Sequence, residues 1–217
     1  MPPDYERDYA EARKRGASVW GAGPREFVTL LTSMPSFNRH GRAIDLGAGE
    51  GQNAIYLAQQ GMRVTAVDLA REGLVTLEEN ARKAGVGDRV RTFPLDMRKF
   101  PLQKSRYHVL MSSFALHQIP REHAYGVIAR AKASVKPGGL VAISAFTREG
   151  TMYELTDKPR PSPHGYLETG ELRRLFEKDG WTIHHYSERR VPVRTRGPKG
   201  ERLDNGAAYL IARKPLA

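Results

Sequence analysis

The stretch Ala43-Ile44-Asp45-Leu46-Gly47-Ala48-Gly49-Glu50-Gly51-Gln52-Asn53 constrains this chain more than any other. A short apolar run carrying an acid leads into three alternating glycines, after which a helical pattern begins. Without a Cβ, each glycine lets the backbone turn sharply or approach a ligand closely. The apolar run reads as a buried parallel strand. The helix that follows offers free N–H groups to whatever lies on the loop. This describes the nucleotide-binding first strand–helix turn of a doubly wound sheet. The dinucleotide fingerprint is G-x-G-x-x-G. Here the third glycine, Gly51, comes one position early and Gln52 fills the expected slot. A second strand, Met62-Arg63-Val64-Thr65-Ala66-Val67-Asp68, ends in an acid. A carboxylate at that distance beyond the glycines accepts hydrogen bonds from ribose hydroxyls.

The rest of the chain alternates in the same way. Residues 4–15 are helix-forming and charged, with Tyr5 and Tyr9 on one face and Gly16 as a stop. A second helix is expected from about Pro24 to Ser33, with proline at its start. After the first strand, 43–46, helices are expected near 51–60, 70–84 and 121–135, each with apolar residues in register. The third strand is Arg89–Phe93, the fourth Tyr107–Ser113 and the fifth Leu140–Phe146, the last preceded by a Lys136-Pro137-Gly138-Gly139 turn. Such alternation implies a parallel sheet with right-handed crossovers. Residues 147–168 break the pattern, and Pro159, Pro161, Pro163 and Gly165 rule out a regular element across 159–165. Loops this long in compact domains are functional or disordered. Thr169 is expected to cap a helix carrying Leu172, Leu175 and Phe176. Two strand-like runs, Trp181–Val193 and Ala207–Arg213, close the chain with a turn-rich Arg196–Gly200 between them, an antiparallel arrangement.

Composition limits the function classes. The 217 residues suit one α/β domain. No apolar run approaches membrane-spanning length, and the first residues lack the basic and apolar regions of a secretory signal. Cysteine is absent, which removes disulfides, thiolate catalysis and Cys-ligated zinc, and fits a cytoplasmic protein. The net charge of +11 attracts anions, whether nucleic acid, phosphorylated metabolites or small oxyanions. Scattered charges of this kind equally describe a solvated surface.

The acid followed by G-x-G-x-G resembles motif I of the class I S-adenosylmethionine (SAM)-dependent methyltransferases. Pro94-Leu95-Asp96-Met97 is similar to the family's motif after the third strand, and Ser112-Ser113-Phe114-Ala115-Leu116-His117-Gln118-Ile119 to the stretch after the fourth. Lys136-Pro137-Gly138-Gly139 is similar to the turn before the fifth strand. The resemblance covers roughly residues 40–146. It implies a Rossmann-like, doubly wound α/β sheet of seven strands, mostly parallel with an antiparallel last strand, and SAM as cofactor. It implies cofactor binding by Trp20, Asp45, Gly47, Ala48, Gly49, Gly51, Asn53, Asp68, Leu69, Asp96, Met97, Ser112 and Ser113. Asp96 would accept from the adenine amino group and Met97 would pack on the ring. Trp20 and Tyr9, before the first strand, are candidates to cover the cofactor, with plain packing as the alternative. The family's aromatic-Asp opening of the fourth strand is replaced by Tyr107-His108. The chain is expected to be a single domain over 1–217, with residues 1–40 as a helical cover and 147–168 as a lid-like insertion.

The acceptor is narrowed by what is missing. There is no Asn/Asp-Pro-Pro-aromatic run after the fourth strand, which the family uses for amino nitrogens. No Asp ends that strand to hold Mg²⁺, so no metal is expected. The closing hairpin and its Ala212-Arg213-Lys214 tail resemble the tellurite-resistance methyltransferase branch, which carries basic residues in the hairpin; Arg194 and Arg196 stand there. Arginine holds an oxyanion by bidentate, charge-assisted hydrogen bonds. His117 is a candidate general base, or else a packing histidine at a helix start. The expectation is a methyltransferase for a small-molecule acceptor, including an oxyanion such as tellurite, acting as monomer or homodimer. RNA binding or modification, and SAM binding without turnover, are the alternatives.

Overall fold

The structure, a computed structural model, describes residues 4–21, 23–157 and 164–216. It contains one seven-stranded sheet in the order β3-β2-β1-β4-β5-β7-β6. The strands are β1 (Arg42–Leu46), β2 (Arg63–Asp68), β3 (Val90–Pro94), β4 (Tyr107–Ser113), β5 (Val135–Phe146), β6 (Thr182–Arg196) and β7 (Arg202–Arg213). Pairing is parallel from β3 through β5, whereas β7 runs antiparallel to both β5 and β6. The Rossmann-like sheet with a reversed last strand is therefore present. The chain steps outward from β1 to β3, then returns to lay β4 on the other side of β1. In open α/β sheets the crevice at such a reversal is where ligands bind, here at the carboxyl ends of β1 and β4.

The strands read as near-continuous apolar runs because both sheet faces are covered. Successive side chains point to opposite faces. Ile44, Leu46, Leu110, Val141, Ile143 and Leu210 pack on one side with α5 (Arg121–Ser134) and α6 (Glu171–Glu177). Ala43, Val109, Met111, Leu140, Ala142 and Ile211 pack on the other. There they meet α2 (Glu26–Thr32), α3 (Gln52–Gln59) and α4 (Arg71–Lys83). Each fully buried Leu or Ile contributes about 1.5–3 kcal/mol.

The N-terminal helix α1 (Tyr5–Lys14) is capped by Asp4, whose Oδ1 accepts from the Arg7 N–H at 3.2 Å. It docks on α4 from outside: Arg13 pairs with Glu72 at 2.6 Å, and Glu6 accepts from the Glu72 N–H at 3.2 Å.

Four local expectations are corrected. Pro24 is not the first helical residue; α2 begins at Glu26 after an extended Arg25. Thr169 is not the cap of α6; Gly170 is, in a left-handed conformation, while the Thr169 hydroxyl bonds to Glu149 instead. Lys136-Pro137-Gly138-Gly139 does not precede β5 but lies within it as an irregularity. The β4 partner jumps from Val135 to Leu140 between Tyr107 and Val109, and Gly138 donates to Lys214 O at 3.1 Å. Finally, β6 and β7 run longer, with ladder pairing out to Arg196 opposite Arg202. Asp204-Asn205-Gly206 reads as turn-forming by composition. Tertiary bonds hold it extended: buried Asn205 accepts from the Tyr153 N–H at 3.2 Å and donates to Thr147 O at 3.4 Å.

In the 147–168 segment, Thr147 pairs with Leu167 and a short wide helical turn spans Tyr153–Asp157. Residues 158–163, including Pro159, Pro161 and Pro163, lie outside the described residues. Among the described residues no helix is long and apolar enough to cross a membrane, and no cluster of three or more His, Asp or Glu is arranged to hold a metal.

Candidate functional site

The glycine turn is held from below by the sheet. Gly47 and Ala48 both donate to Val67 O, at 2.7 and 3.1 Å, so the loop leaves β1 directly over the end of β2. Gly51 caps α3 at φ 82°, a left-handed conformation that side chains resist. A Cβ on Gly47 would sit 2.1 Å from that of Ala115, the second residue beyond β4. The crevice walls thus meet at these positions, and Met97 Cε lies 3.4 Å from the same point.

Two carboxylates close this end of the sheet. Asp68, the last residue of β2, accepts from the Gly49 N–H at 2.7 Å and the Ala70 N–H at 2.8 Å. Burial raises its pKa, and these N–H bonds pull it part-way back. Asp45, near the end of β1, is only 1% exposed, and its Oδ1 has no hydrogen-bond partner among the described residues. Burial, with the nearby Asp68 charge, pushes it up to about 8. An unpaired buried acceptor is costly, about 1–3 kcal/mol.

A pH dependence follows from Asp45. An unfolded aspartate titrates near 4. Between there and about 8 the native state holds a proton that the unfolded state has released. Native stability therefore falls as pH rises through that window and levels off above it. Asp45→Asn is expected to flatten this slope and to melt higher than wild type at pH 8. Melting temperatures measured from pH 5 to 9 check it; equal slopes would contradict it.

The remaining residues named from sequence fall into three groups. Ser112 donates to Leu46 O at 2.9 Å, tying β4 to β1, and Ser113 meets Ser144 at 3.3 Å. Asp96 lies two residues past β3, where Arg98 holds its carboxyl below the usual range. Leu69 is 72% exposed, and Asn53 Oδ1 accepts from the Arg25 N–H at 2.9 Å.

The N-terminal segment sits on the loop. The Tyr9 ring is buried against Gly49 and Gly73; a Cβ on Gly49 would lie 2.6 Å from its hydroxyl. Trp20 Nε1 donates to that hydroxyl at 2.9 Å. Arg194 stands 5.5 Å over the Trp20 ring and donates to Val19 O at 2.9 Å. It is thus joined to the N-terminal segment, while Arg196 is exposed further along the hairpin. Burial pushes the Tyr5 phenol up to about 12, with Asp8 and Asp68 adding to the rise.

His117 is 3% exposed in a short turn after β4. Its Nε2 meets the Gln118 amide at 2.6 Å, and its ring stacks on Tyr166 at 5.9 Å and lies 4.4 Å from Phe146. Gly165 donates to its carbonyl at 2.9 Å, which brings the far end of the 147–168 segment to this histidine.

Sequence reasoning missed Glu50, Phe114 and Tyr166. Glu50 is 2% exposed and accepts from Ser18 Oγ at 2.7 Å and the Val19 N–H at 3.0 Å, binding the cover to the loop. A charged residue between two glycines was its available signal. Phe114 adopts φ 51°, rare for a bulky side chain, and nothing in the sequence marks it.

A methyltransferase-domain family model matches residues 43–139, the glycine turn through the start of β5. Over that stretch the chain resembles a class I SAM-dependent methyltransferase domain. It resembles TehB of Haemophilus influenzae, named a probable S-adenosyl-L-methionine-dependent methyltransferase, at 25% identity over 80% of this chain and 57% of that protein. The crystal structure of H. influenzae TehB superposes with a TM-score of 0.72 and 24% identity, over 96% of this chain and 67% of that one. The 27-O-demethylrifamycin SV methyltransferase of Amycolatopsis mediterranei is 25% identical over 82% of this chain and 61% of its own length. The chain thus spans about three fifths of these curated relatives. The fold also matches the Burkholderia thailandensis 1,6-didemethyltoxoflavin-N1-methyltransferase, solved with its acceptor and S-adenosylhomocysteine. There the TM-score is 0.67 with 24% identity, over 99% of this chain and 91% of that one.

Proposed function

We propose that this protein transfers the methyl group of SAM to a small-molecule acceptor at the crevice between β1 and β4. The observation that carries the reading is Asp45 Oδ1, buried beside the glycine turn without a partner among the described residues. SAM bears an ammonium and a sulfonium, and a buried acid such as Asp45, which gives up its proton when a cation takes the proton's place, suits such a ligand. The Cβ-free glycines of the Gly47–Gly51 turn and the Asp68 carboxylate fit its ribose and methionine parts. When bound, SAM supplies an electrophilic methyl group.

The chain's own residues would do the rest. Asp68 orients the ribose with its remaining lone pairs. Asp96, Met97 and Leu69 flank the adenine side. Tyr9, Trp20 and Glu50 hold the cover down and exclude water, which strengthens the electrostatics inside. His117 takes the proton of a neutral acceptor at Nε2 after the Gln118 amide yields that position. In this reading Arg194 fastens the cover to the hairpin. The relatives' names support a small-molecule acceptor, and the likeness to TehB keeps an oxyanion such as tellurite within the class.

The test is release of S-adenosylhomocysteine from SAM across a panel of hydroxyaromatics, amines and tellurite. Acceptor-dependent release is expected, and His117→Asn should lower it about a hundredfold for a neutral acceptor. Tight cofactor binding with no release from any acceptor would instead make the protein a SAM-binding module.

A further inference from the structure

A cleft of about 460 Å³ opens between α2 and the edge strand β6. It exists because α2 is short. Its seven residues pack over β5 and β7, and only its first, Glu26, is seen paired with β6, at Arg189, among the described residues. His185, Ser187 and Arg189 alternate along β6 onto this uncovered face. The volume falls in the range of small-ligand pockets, about 300–1,000 Å³.

Its lining has two chemical halves. The apolar half is the Tyr209 ring, set edge-on to Phe27 at 5.7 Å, with Leu30 as a 39% exposed wall. The polar half is Arg189, whose guanidinium lies 5.0 Å over the same Tyr209 ring. Its counter-ion is Glu26 at 3.3 Å, and the two side chains are 56% and 82% exposed. An ion pair that wet contributes at most about 1 kcal/mol, so a better-placed anion displaces Glu26 easily. Beside it, His185 Nε2 and Ser187 Oγ lie 3.2 Å apart.

Packed rings link the cleft to the crevice. Arg189 pairs in register with Ala207, and Ala207 with Phe146, so the cationic end is level with the carboxyl end of β5. Tyr209 meets Phe114 edge-on at 5.7 Å, and Phe114 lies 6.4 Å from His117. One aromatic ring, held on a strained left-handed backbone, separates the cleft from the histidine.

We propose that this cleft recognises the methyl acceptor, and that the acceptor is a flat organic anion. Its ring lies against Tyr209 and Leu30, and its carboxylate or phenolate takes Arg189 in exchange for Glu26. An inorganic oxyanion would engage the arginine and leave the apolar half unused. The acceptor role rests on the methyltransferase reading; the binding site does not.

Calorimetric titration with 2-naphthoate, without SAM, tests the site. Saturable one-to-one binding is expected, with none for inorganic phosphate or 2-naphthalenemethanol at the same concentrations. Arg189→Gln should weaken naphthoate binding about tenfold or more, since a charge-assisted contact is lost. Leu30→Trp, at an exposed position, should abolish it without lowering the melting temperature. Equal binding of phosphate, naphthoate binding that survives both substitutions, or no saturable binding would overturn the site. With an active acceptor in hand, Leu30→Trp should raise its KM and leave S-adenosylhomocysteine affinity unchanged. An unchanged KM would overturn the acceptor role, whereas absence of turnover with intact naphthoate binding would fault the methyltransferase reading alone.

Discussion

Gly51→Val is expected to lower the melting temperature by roughly 10 °C and to abolish cofactor binding. Two penalties combine at this position. The backbone is left-handed at φ 82°, which costs a side-chain-bearing residue about 1–2 kcal/mol. The new Cβ would also lie 2.2 Å from Leu77 Cγ and 2.6 Å from its Cδ1. Leu77 belongs to α4, is fully buried against the sheet and has nowhere to swing. Overpacking of this kind costs about 1–3 kcal/mol. In a domain of this size each kcal/mol moves the midpoint by about 2–4 °C. The clash pushes α4 off the start of α3 and strains the glycine turn that Asp68 holds at Gly49. Gly49→Ala is the informative contrast. There the obstacle is the Tyr9 hydroxyl at 2.6 Å, on a helix docked from outside, so the cover shifts while the core stays packed. Thermal melts of both variants check the difference. A Gly51→Val protein melting within 2 °C of wild type would contradict the assigned helix start, because even the lower bound of about 2 kcal/mol moves the midpoint further.

The sheet was legible because parallel strands buried on both faces leave apolar runs that few other structures produce. Ala43–Leu46, Met62–Asp68 and Leu140–Phe146 could be located that way, and the glycine turn fixed where the chain reverses. Boundaries set by tertiary contact were not legible. Gly170 caps α6 because Thr169 is drawn to Glu149, a residue distant in sequence. Asp204-Asn205-Gly206 stays in β7 because Thr147 and Tyr153 occupy the Asn205 side chain. The site divides in the same way. Asp45, Asp68 and the glycines carry a spacing that can be read along the chain. Glu50, Phe114 and the Tyr166–His117 stack depend on segments that meet only after folding. Arg194 was visible as a hairpin cation, but its place over Trp20 follows from the length of β6, which the sequence understated.

The central claim is that the crevice binds SAM through the β2 carboxylate and the glycine turn. The most direct measurement is calorimetric titration of wild type and Asp68→Ala with S-adenosylhomocysteine, beside melts of both proteins. Asp68 holds the Gly49 and Ala70 N–H groups, at 2.7 and 2.8 Å, and keeps lone pairs for a ribose. Removing it loses the ligand contact and loosens the turn that faces it. Wild type should bind one equivalent, and Asp68→Ala should bind about ten to a hundredfold more weakly, the roughly 1.5–3 kcal/mol of a charged hydrogen bond. A folded Asp68→Ala protein that binds with wild-type affinity, or a wild type that takes up no S-adenosylhomocysteine, would contradict the account.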